Sequence, residues 1–600
     1  MFESIKDLYR YTRVFEKFLG KRIYIIFFLG LIASISEAFG ILMLLPLLES
    51  LDGSLEESEL NDLSRYLFNF VAFIGFENSI PAIIILITFS FLLKGLITFA
   101  SLGYSAFLIG ELLRGLKSEL FEKYSSMNFQ YYSSQDTGHF TNLINEQPIK
   151  ALEAFRQLTA FGGQLINTIV LLAIAFIMTW RFGLMAFGVG IILLLVFVNL
   201  NNYVRSLSRI TATENGILTK WLIQMLHAFK YLTATGQTSL LKVNILKSIN
   251  TLTDNQIKTG IAAAFTQSVR EPIAVVFIMM VVLIPIFVFE SKIEPILVSI
   301  VLFYRALNAT LAVQSGFQGT FQHIGSMELV QDEFTRQENN KSSDGGTMLN
   351  SFSKEINIED LSFKYIGKTE DALKEITLKI PCKSSIAIVG ESGSGKSTLI
   401  DNISLMHNPT SGKILIDGLD SKEINKKSWR KQIGYVSQDA VIFDDTVANN
   451  ICMWCGDVDK DDYLLEKIRI AAKKANLLDF IESLPEGFQS MVGDRGLLLS
   501  GGQKQRLFIA RELFRDPKIL ILDEATSSLD SESEKEIQKS IDSLLGQITV
   551  ITIAHRLSTI KNVENIFVLE SGSIIENGTY DELIKNINSR FYEMAKLQSL

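Results

Sequence analysis

Cysteine is almost absent: three residues in 600, Cys382, Cys452 and Cys455, all in the second half. So thin a supply excludes a disulfide-built secreted scaffold and suits a reducing cytosol. Cys452 and Cys455 do form a CxxC pair, "CMWC". No second pair and no nearby histidine completes a ligand set, so a structural or incidental role is expected. A surplus of positive charge is also lacking, with 57 Lys and Arg against 65 Asp and Glu, net −8. That argues against a nucleic-acid partner, which would meet a basic face. No cleavable signal is expected, because the apolar run after the basic, aromatic "KDLYRYTRVFEKFLGKR" is far longer than a signal-peptide core.

What is present is apolar sequence, 48% of the chain beside 20% charged. Both figures hold only if the two kinds are segregated, and they are. A chain of 600 residues should form at least two domains. Residues 1–335 carry the long apolar runs, 336–350 form a polar linker around "RQENNKSSDGGT", and 351–600 resemble an ordinary water-exposed domain. A membrane-crossing helix needs about 20 mostly apolar residues. Six runs qualify: 23–48, 81–109, 158–179, 182–203, 262–289 and 294–315. The expected fold is therefore a six-span α-helical membrane domain followed by an α/β domain.

Lys17, Lys21 and Arg22 precede the first run and should keep the N-terminus cytoplasmic. The acidic "ESLDGSLEESELNDLS" then faces outward, and "WRF" alone makes a tight outer turn between the third and fourth spans. The second-to-third and fourth-to-fifth connections keep a helical pattern well past the membrane. Six crossings return the second domain to the cytosol.

Charges inside these runs are costly and are functional suspects by default. Arg305, in "VLFYRALNAT", lies thirteen residues from Lys292, Lys94 thirteen from Pro81, and Glu37 twelve from Glu49. At 1.5 Å per residue all three sit about 18–20 Å deep, in one layer on three helices. Arg270 and Glu271 begin the fifth span. One reading is mutual neutralisation. The other notes that one acid cannot neutralise two cations, and takes Glu37, Lys94, Arg270 and Arg305 as a lining for an anionic substrate. Arginine's planar fork suits phosphate.

The second domain holds "SSIAIVGESGSGKSTLI". An apolar strand enters Gly390, four residues intervene, and Gly395-Lys396-Ser397 opens a helix, which is the P-loop pattern in its strand-loop-helix setting. Residues Gly390, Glu391, Ser392, Gly393, Ser394, Gly395, Lys396, Ser397 and Thr398 should cradle nucleotide phosphates. Lys396 reaches the β/γ-phosphates and Ser397 takes Mg²⁺. "KILILDEAT" delivers Asp523 as a second Mg²⁺ ligand and Glu524 as the group that orients and deprotonates water. "LSGGQKQR", 499–506, exposes backbone N–H groups before another helix.

In this order the motifs resemble the nucleotide-binding domain of ATP-binding cassette (ABC) transporters. The resemblance implies that Tyr365 in "LSFKY" stacks on adenine, and that Gln438 in "GYVSQD" touches Mg²⁺ and senses the membrane domain. It implies that Ser500, Gly501, Gly502 and Gln503 close over ATP held by a second subunit. Ser528 and Asp530 fall in the D-loop, and His555 in "TIAHR" is the switch histidine, catalytic together with Glu524 and Lys396. "VGDRG" resembles the exporter-type X-loop, with Asp494 where glutamate is commoner. The first half resembles the exporter-type membrane domain, 129–146 and 221–237 being its cytoplasmic coupling segments.

The expectation is a homodimeric half-transporter of the cytoplasmic membrane, with cytosolic cassettes using ATP and Mg²⁺. "FYRAL" in span six, the Arg-Glu-Pro start of span five and the acid in span one most resemble flippases of lipid-linked oligosaccharides. The alternatives are a lipid or multidrug exporter of the same architecture, or a cassette that gates a channel or regulates a partner. With only residues 1–22 ahead of the first apolar run, the protease domain that leader-removing peptide exporters carry is not expected.

Overall fold

The computed structural model describes residues 2–52, 62–73, 75, 79–178, 180–269, 271–273, 275, 276, 279, 293–341, 346–365, 367–493, 496–523, 531–554 and 556–598. The chain divides into two compact units, one of Met1–Met127 with Tyr131–Lys341, the other of Asn128–Gln130 with Ser342–Leu600.

The described residues of the first unit form helices joined by short turns. Its helices are α1 (Phe2–Leu19), α2 (Ile23–Leu42), α3 (Leu44–Asp52), α4 (Asp62–Phe73), α5 (Ile80–Ser125) and α6 (Phe129–Ser134). They continue as α7 (Thr137–Asn145), α8 (Gln147–Met178), α9 (Trp180–His227), α10 (Phe229–Ala234), α11 (Thr238–Ser268) and α12 (Ile293–Asn339), and of α6 the first two residues, Phe129 and Gln130, are counted with the second unit. Among the described residues three stretches are long and apolar enough to cross a membrane: Leu8–Ser50, Ile80–Ser125 and Thr137–Ile177. The expected fourth and sixth runs lie on α9 and α12, and the fifth falls largely outside the described residues. Large apolar side chains such as Leu92, Leu96 and Phe99 on α5 are more than 60% exposed, as a bilayer solvent permits and water does not.

Two boundaries differ from the sequence reading. "WRF" is not a turn: Trp180 already begins α9, because apolar residues on both sides let the helix start at once. The last membrane helix also runs four residues into the stretch assigned as linker, to Asn339. The residues Arg336 and Gln337 are good helix formers, so nothing local stops it sooner. The helices α5, α9 and α12, of 46, 48 and 47 residues, all extend far beyond a bilayer's thickness. On α12, glycine permits close helix contact: a Cβ on Gly316 would come within 3.0 Å of the Phe161 backbone, and one on Gly325 within 2.7 Å of the Ser208 carbonyl.

The second unit has two sheets. One is antiparallel, in the order β2-β1-β4-β5, with β1 Glu355–Phe363, β2 Leu373–Pro381, β4 Ser411–Ile416 and β5 Leu419–Asp420. The other runs β10-β9-β3-β8-β7-β6, with β3 Ser385–Gly390, β6 Ile433–Val436, β7 Ile519–Asp523, β8 Thr549–Ile553, β9 Asn565–Glu570 and β10 Ser573–Gly578. Its β9, β3, β8, β7 and β6 pair in parallel. Strands β3 and β7 read as unbroken apolar runs because both their faces are covered, and their central residues are buried. Parallel pairing brings the carboxyl ends of β3, β6 and β7 to one edge, and that edge carries the chemistry.

Candidate functional site

The edge is built from the P-loop upward. Strand β3 ends at Gly390 (φ +153), where an added Cβ would meet the Leu569 carbonyl at 2.2 Å, so no other residue fits. Gly395 (φ +104) caps the helix α13 (Lys396–Ile403) in a left-handed conformation that side chains avoid. Between them the loop curls over the Lys396 ammonium, which lies 2.9 Å from the carbonyls of both Gly390 and Glu391. The lysine is thus held at the mouth of a ring of backbone N–H groups at a helix N-terminus, an arrangement that receives phosphate. Ser394 adds a buried hydroxyl oxygen with no partner among the described residues. A nucleotide phosphate suits this donor set.

Around it stand the other residues singled out in the sequence. Ser397 is exposed in the first turn of α13, and Asp523 ends β7. The Tyr435 hydroxyl on β6 donates to Asp523 Oδ2 at 3.2 Å, a contact sequence reasoning missed although Tyr435 lies in the quoted "GYVSQD". Burial pushes the Tyr435 phenol up, and the nearby Asp523 and Asp401 add to the shift. Burial, helped by the Asp523 charge, likewise raises Asp401 to about 6. The acidic edge is therefore electrostatically crowded, and a divalent cation suits it. Gln438 is exposed just beyond β6.

Tyr365 is half-buried, with its hydroxyl 3.0 Å from Thr398 Oγ1 and its ring 5.0 Å from Phe363. The ring is thereby tied to the P-loop helix. Beneath it His407 stacks on Phe363 at 4.8 Å, and Phe129 approaches His407 at 5.6 Å. Burial lowers the His407 pKa, keeping that aromatic cluster neutral.

The "LSGGQ" segment forms the start of α14 (Gly501–Phe514). Ser500 caps it reciprocally: Gln503 N donates to Ser500 Oγ at 3.3 Å, and Ser500 N donates to Gln503 Oε1 at 2.8 Å. Gln503 is thus occupied in building the cap, which holds the helix end in shape. Glu524, Ser528, Asp530, His555 and Asp494 lie outside the described residues. Of the CxxC pair, Cys452 is buried and Cys455 exposed, both as free thiols. Burial and the neighbouring Cys452 raise the Cys455 pKa, away from reactive thiolate.

In the membrane unit the three charges assigned to one layer meet. Glu37, buried on α2, places Oε2 2.7 Å from Lys94 Nζ on α5 and Oε1 3.1 Å from Arg305 Nη1 on α12. One carboxylate serves both cations, which the sequence reading had not foreseen. The set keeps a formal charge of +1. Glu37 and Lys94 line a cavity of about 1080 Å³ bounded by α2, α5 and α8, whereas Arg305 is not among its lining residues. Arg270 lies outside the described residues.

A second ionic knot was not visible in the sequence. Glu328 on α12 accepts from Tyr11 at 2.6 Å, Arg205 at 3.1 Å, and Arg209 at 2.6 and 2.8 Å. It joins α1, α9 and α12 across more than 300 positions of sequence. No periodicity could have signalled it.

Comparison with known proteins agrees with this geometry. A family model described as "ABC transporter transmembrane region" matches residues 23–311, and one described as "ABC transporter" matches 373–527. A protein named ATP-dependent lipid A-core flippase, from Vibrio vulnificus, is 30% identical over 99% of this chain and 97% of its own. The heterocyst differentiation ATP-binding protein HepA of Nostoc is 32% identical over 78% of this chain and 76% of its own. A solved bacterial Atm1-family ABC exporter with ATP bound superposes with a TM-score of 0.78 at 22% identity. It covers 97% of this chain and 99% of that one, a likeness of fold.

Proposed function

The chain belongs to the ABC transporter family, an integral membrane protein coupling ATP hydrolysis to transport, and we propose that it flips an anionic lipid-linked oligosaccharide across the cytoplasmic membrane. The observation that carries the substrate reading is the Lys94–Glu37–Arg305 set. Its single acid leaves a formal positive charge at bilayer depth beside a large cavity. An excess cation at that depth is expensive unless an anion meets it. A phosphate or diphosphate on a lipid supplies that anion, and the lipid A-core flippase name of full-length relatives supports an anionic glycolipid.

On this reading two copies pair, each P-loop facing the partner's Ser500–Gln503 segment, with both cassettes in the cytosol. Tyr365 stacks on adenine, Lys396 and the loop N–H groups hold the phosphates, and Ser397, Asp523 and Gln438 hold Mg²⁺. That ion would neutralise phosphate charge during hydrolysis. Glu524 positions the attacking water, and His555 contacts the γ-phosphate. The tyrosine Tyr435 holds Asp523 in place through its hydroxyl.

Mass spectrometry of lipids retained through purification tests the substrate class. A phosphate-bearing glycolipid should co-purify with wild type and be depleted from Arg305→Gln. Recovery of only neutral or zwitterionic lipids, in equal amounts from both, would reject the reading.

A further inference from the structure

The Lys94–Glu37 pair holds one end of the cavity, and Arg156 with Glu153 holds the other. From Lys94, α5 continues along the wall with Thr98, Ser101 and Ser105, all of which line it. The spacing of four, three and four residues puts them on one helix face. Opposite, α8 contributes Asn167, Gln164, Arg156 and Glu153. Consecutive crossings run in opposite senses, so Lys94 faces the Asn167 end and Ser105 the Arg156 end. Eleven residues separate the ends on either helix, a distance of about 16 Å.

Polar side chains on membrane helices ordinarily bond their own backbone. Elsewhere on α5 they do so: Thr88 donates to the Ile84 carbonyl and Ser90 to the Leu86 carbonyl, each at 2.8 Å. Among the described residues nothing accepts from Thr98, Ser101 or Ser105, and the buried Asn167 Oδ1 has no donor. Three hydroxyls and an amide therefore face one another across a membrane-depth cavity with their hydrogen-bonding capacity unspent. Lipid tails cannot use it, and a phosphate at either end, beside Lys94 or Arg156, leaves the hydroxyls between them unmatched. A ligand with hydroxyl groups strung along its length fills the remainder.

We propose that Thr98, Ser101, Ser105 and Asn167 form a sugar-reading track, which hydrogen-bonds the glycan of the substrate while its phosphate rests at Lys94. This deepens the flippase reading and rests on it. In it, α5 and α8 set headgroup specificity, and the charged layer sets only the requirement for an anion.

The test uses the full-length dimer in liposomes, with ATPase stimulation measured against two probes. One is a polyprenyl diphosphate carrying a hexose oligosaccharide, the other the same polyprenyl diphosphate without sugar. Wild type should prefer the glycosylated lipid. The triple variant Thr98→Val, Ser101→Ala, Ser105→Ala should lose that preference by roughly tenfold or more, as expected for two or three missing hydrogen bonds. Asn167→Leu, tested separately, should lose part of it. Because the removed groups have no internal partner, melting temperatures should stay close to wild type. A variant that folds and keeps the full preference overturns the track, as does a wild type that responds equally to both lipids. A wild type stimulated by neither rejects the flippase reading itself, and the track with it.

Discussion

Lys94 Nζ lies 2.7 Å from Oε2 of Glu37, a side chain only 3% exposed, and the other oxygen of that carboxylate is taken by Arg305 at 3.1 Å. The three residues do not contribute equally. Glu37→Gln leaves two cations side by side without their acid. The loss should be on the order of 1–3 kcal/mol, less than for a fully buried pair because Lys94 and Arg305 are partly exposed. Arg305→Gln leaves Glu37 with Lys94, so it should melt closer to wild type while losing stimulation by an anionic lipid-linked substrate. Thermal melting and lipid-stimulated ATPase on both purified variants decide the matter. If Arg305→Gln melts as low as Glu37→Gln and keeps full stimulation, the set is a brace and the cation has no substrate role.

That set also marks the limit of what was legible in the sequence. Counting residues from a helix end gives depth, because rise per residue is constant, and depth placed Glu37, Lys94 and Arg305 in one layer. Azimuth is not encoded that way, so the sharing of one carboxylate by both cations had to come from packing. The P-loop lay at the opposite extreme. Gly390, Gly395 and Lys396 act within one short loop whose backbone geometry demands those residue types, and the motif sufficed. Glu328 and Tyr11, far apart in sequence and each unremarkable in its own helix, left no sequence signal.

Glu328 gives a pH-dependent test. Burial alone would raise its pKa, but hydrogen bonds from Arg209, Tyr11 and Arg205 outweigh burial and hold it at about 2, against an ordinary 4.5. A depressed carboxylate stabilises the fold above its unfolded pKa and loses that contribution as pH falls toward the folded value. Glu328→Gln should therefore melt well below wild type at pH 7. The gap, on the order of a few kcal/mol at most, should narrow from about pH 4.5 downward. A gap constant between pH 7 and pH 3 would mean that the knot stabilises by shape and not by charge.

The tie between Tyr365 and Thr398 separates two roles of one side chain. Tyr365→Phe keeps the ring and loses only a part-exposed hydroxyl contact, so the KM for ATP should change by no more than a few-fold. Tyr365→Leu removes the stacking face, worth about 1–3 kcal/mol per base, and should raise KM some five- to one-hundred-fold. Equal effects from the two variants would place the importance in the hydroxyl and remove Tyr365 from adenine binding.

Hydrolysis should depend on Glu524 and Lys396 in different ways. Glu524→Gln should bind ATP but lose roughly 10²–10⁴-fold in turnover, the usual contribution of a positioned base. Lys396→Ala removes the ammonium now gathered between the Gly390 and Glu391 carbonyls and should weaken nucleotide binding itself. Titration with a fluorescent ATP analogue beside steady-state ATPase distinguishes them. Retention of more than a tenth of wild-type turnover by Glu524→Gln would assign the base elsewhere.

The chain carries one P-loop and one Ser500-capped segment, and in the proposed dimer these serve different ATP molecules. Complementation follows from that geometry alone. In a dimer of Lys396→Ala chains every site has a broken P-loop, and in a dimer of Ser500→Arg chains every site has a bulky cation at its capping serine. A mixed dimer combines both lesions in one site and leaves the other wholly intact, since the Ser500→Arg chain supplies the sound P-loop and the Lys396→Ala chain the sound serine. Two-tag purification isolates the mixed species. It should occlude ATP at one site per dimer, while both parent homodimers occlude almost none. Mixed dimers that form but trap no ATP would show that each chain builds its site from its own residues, and the head-to-tail pairing would have to be abandoned.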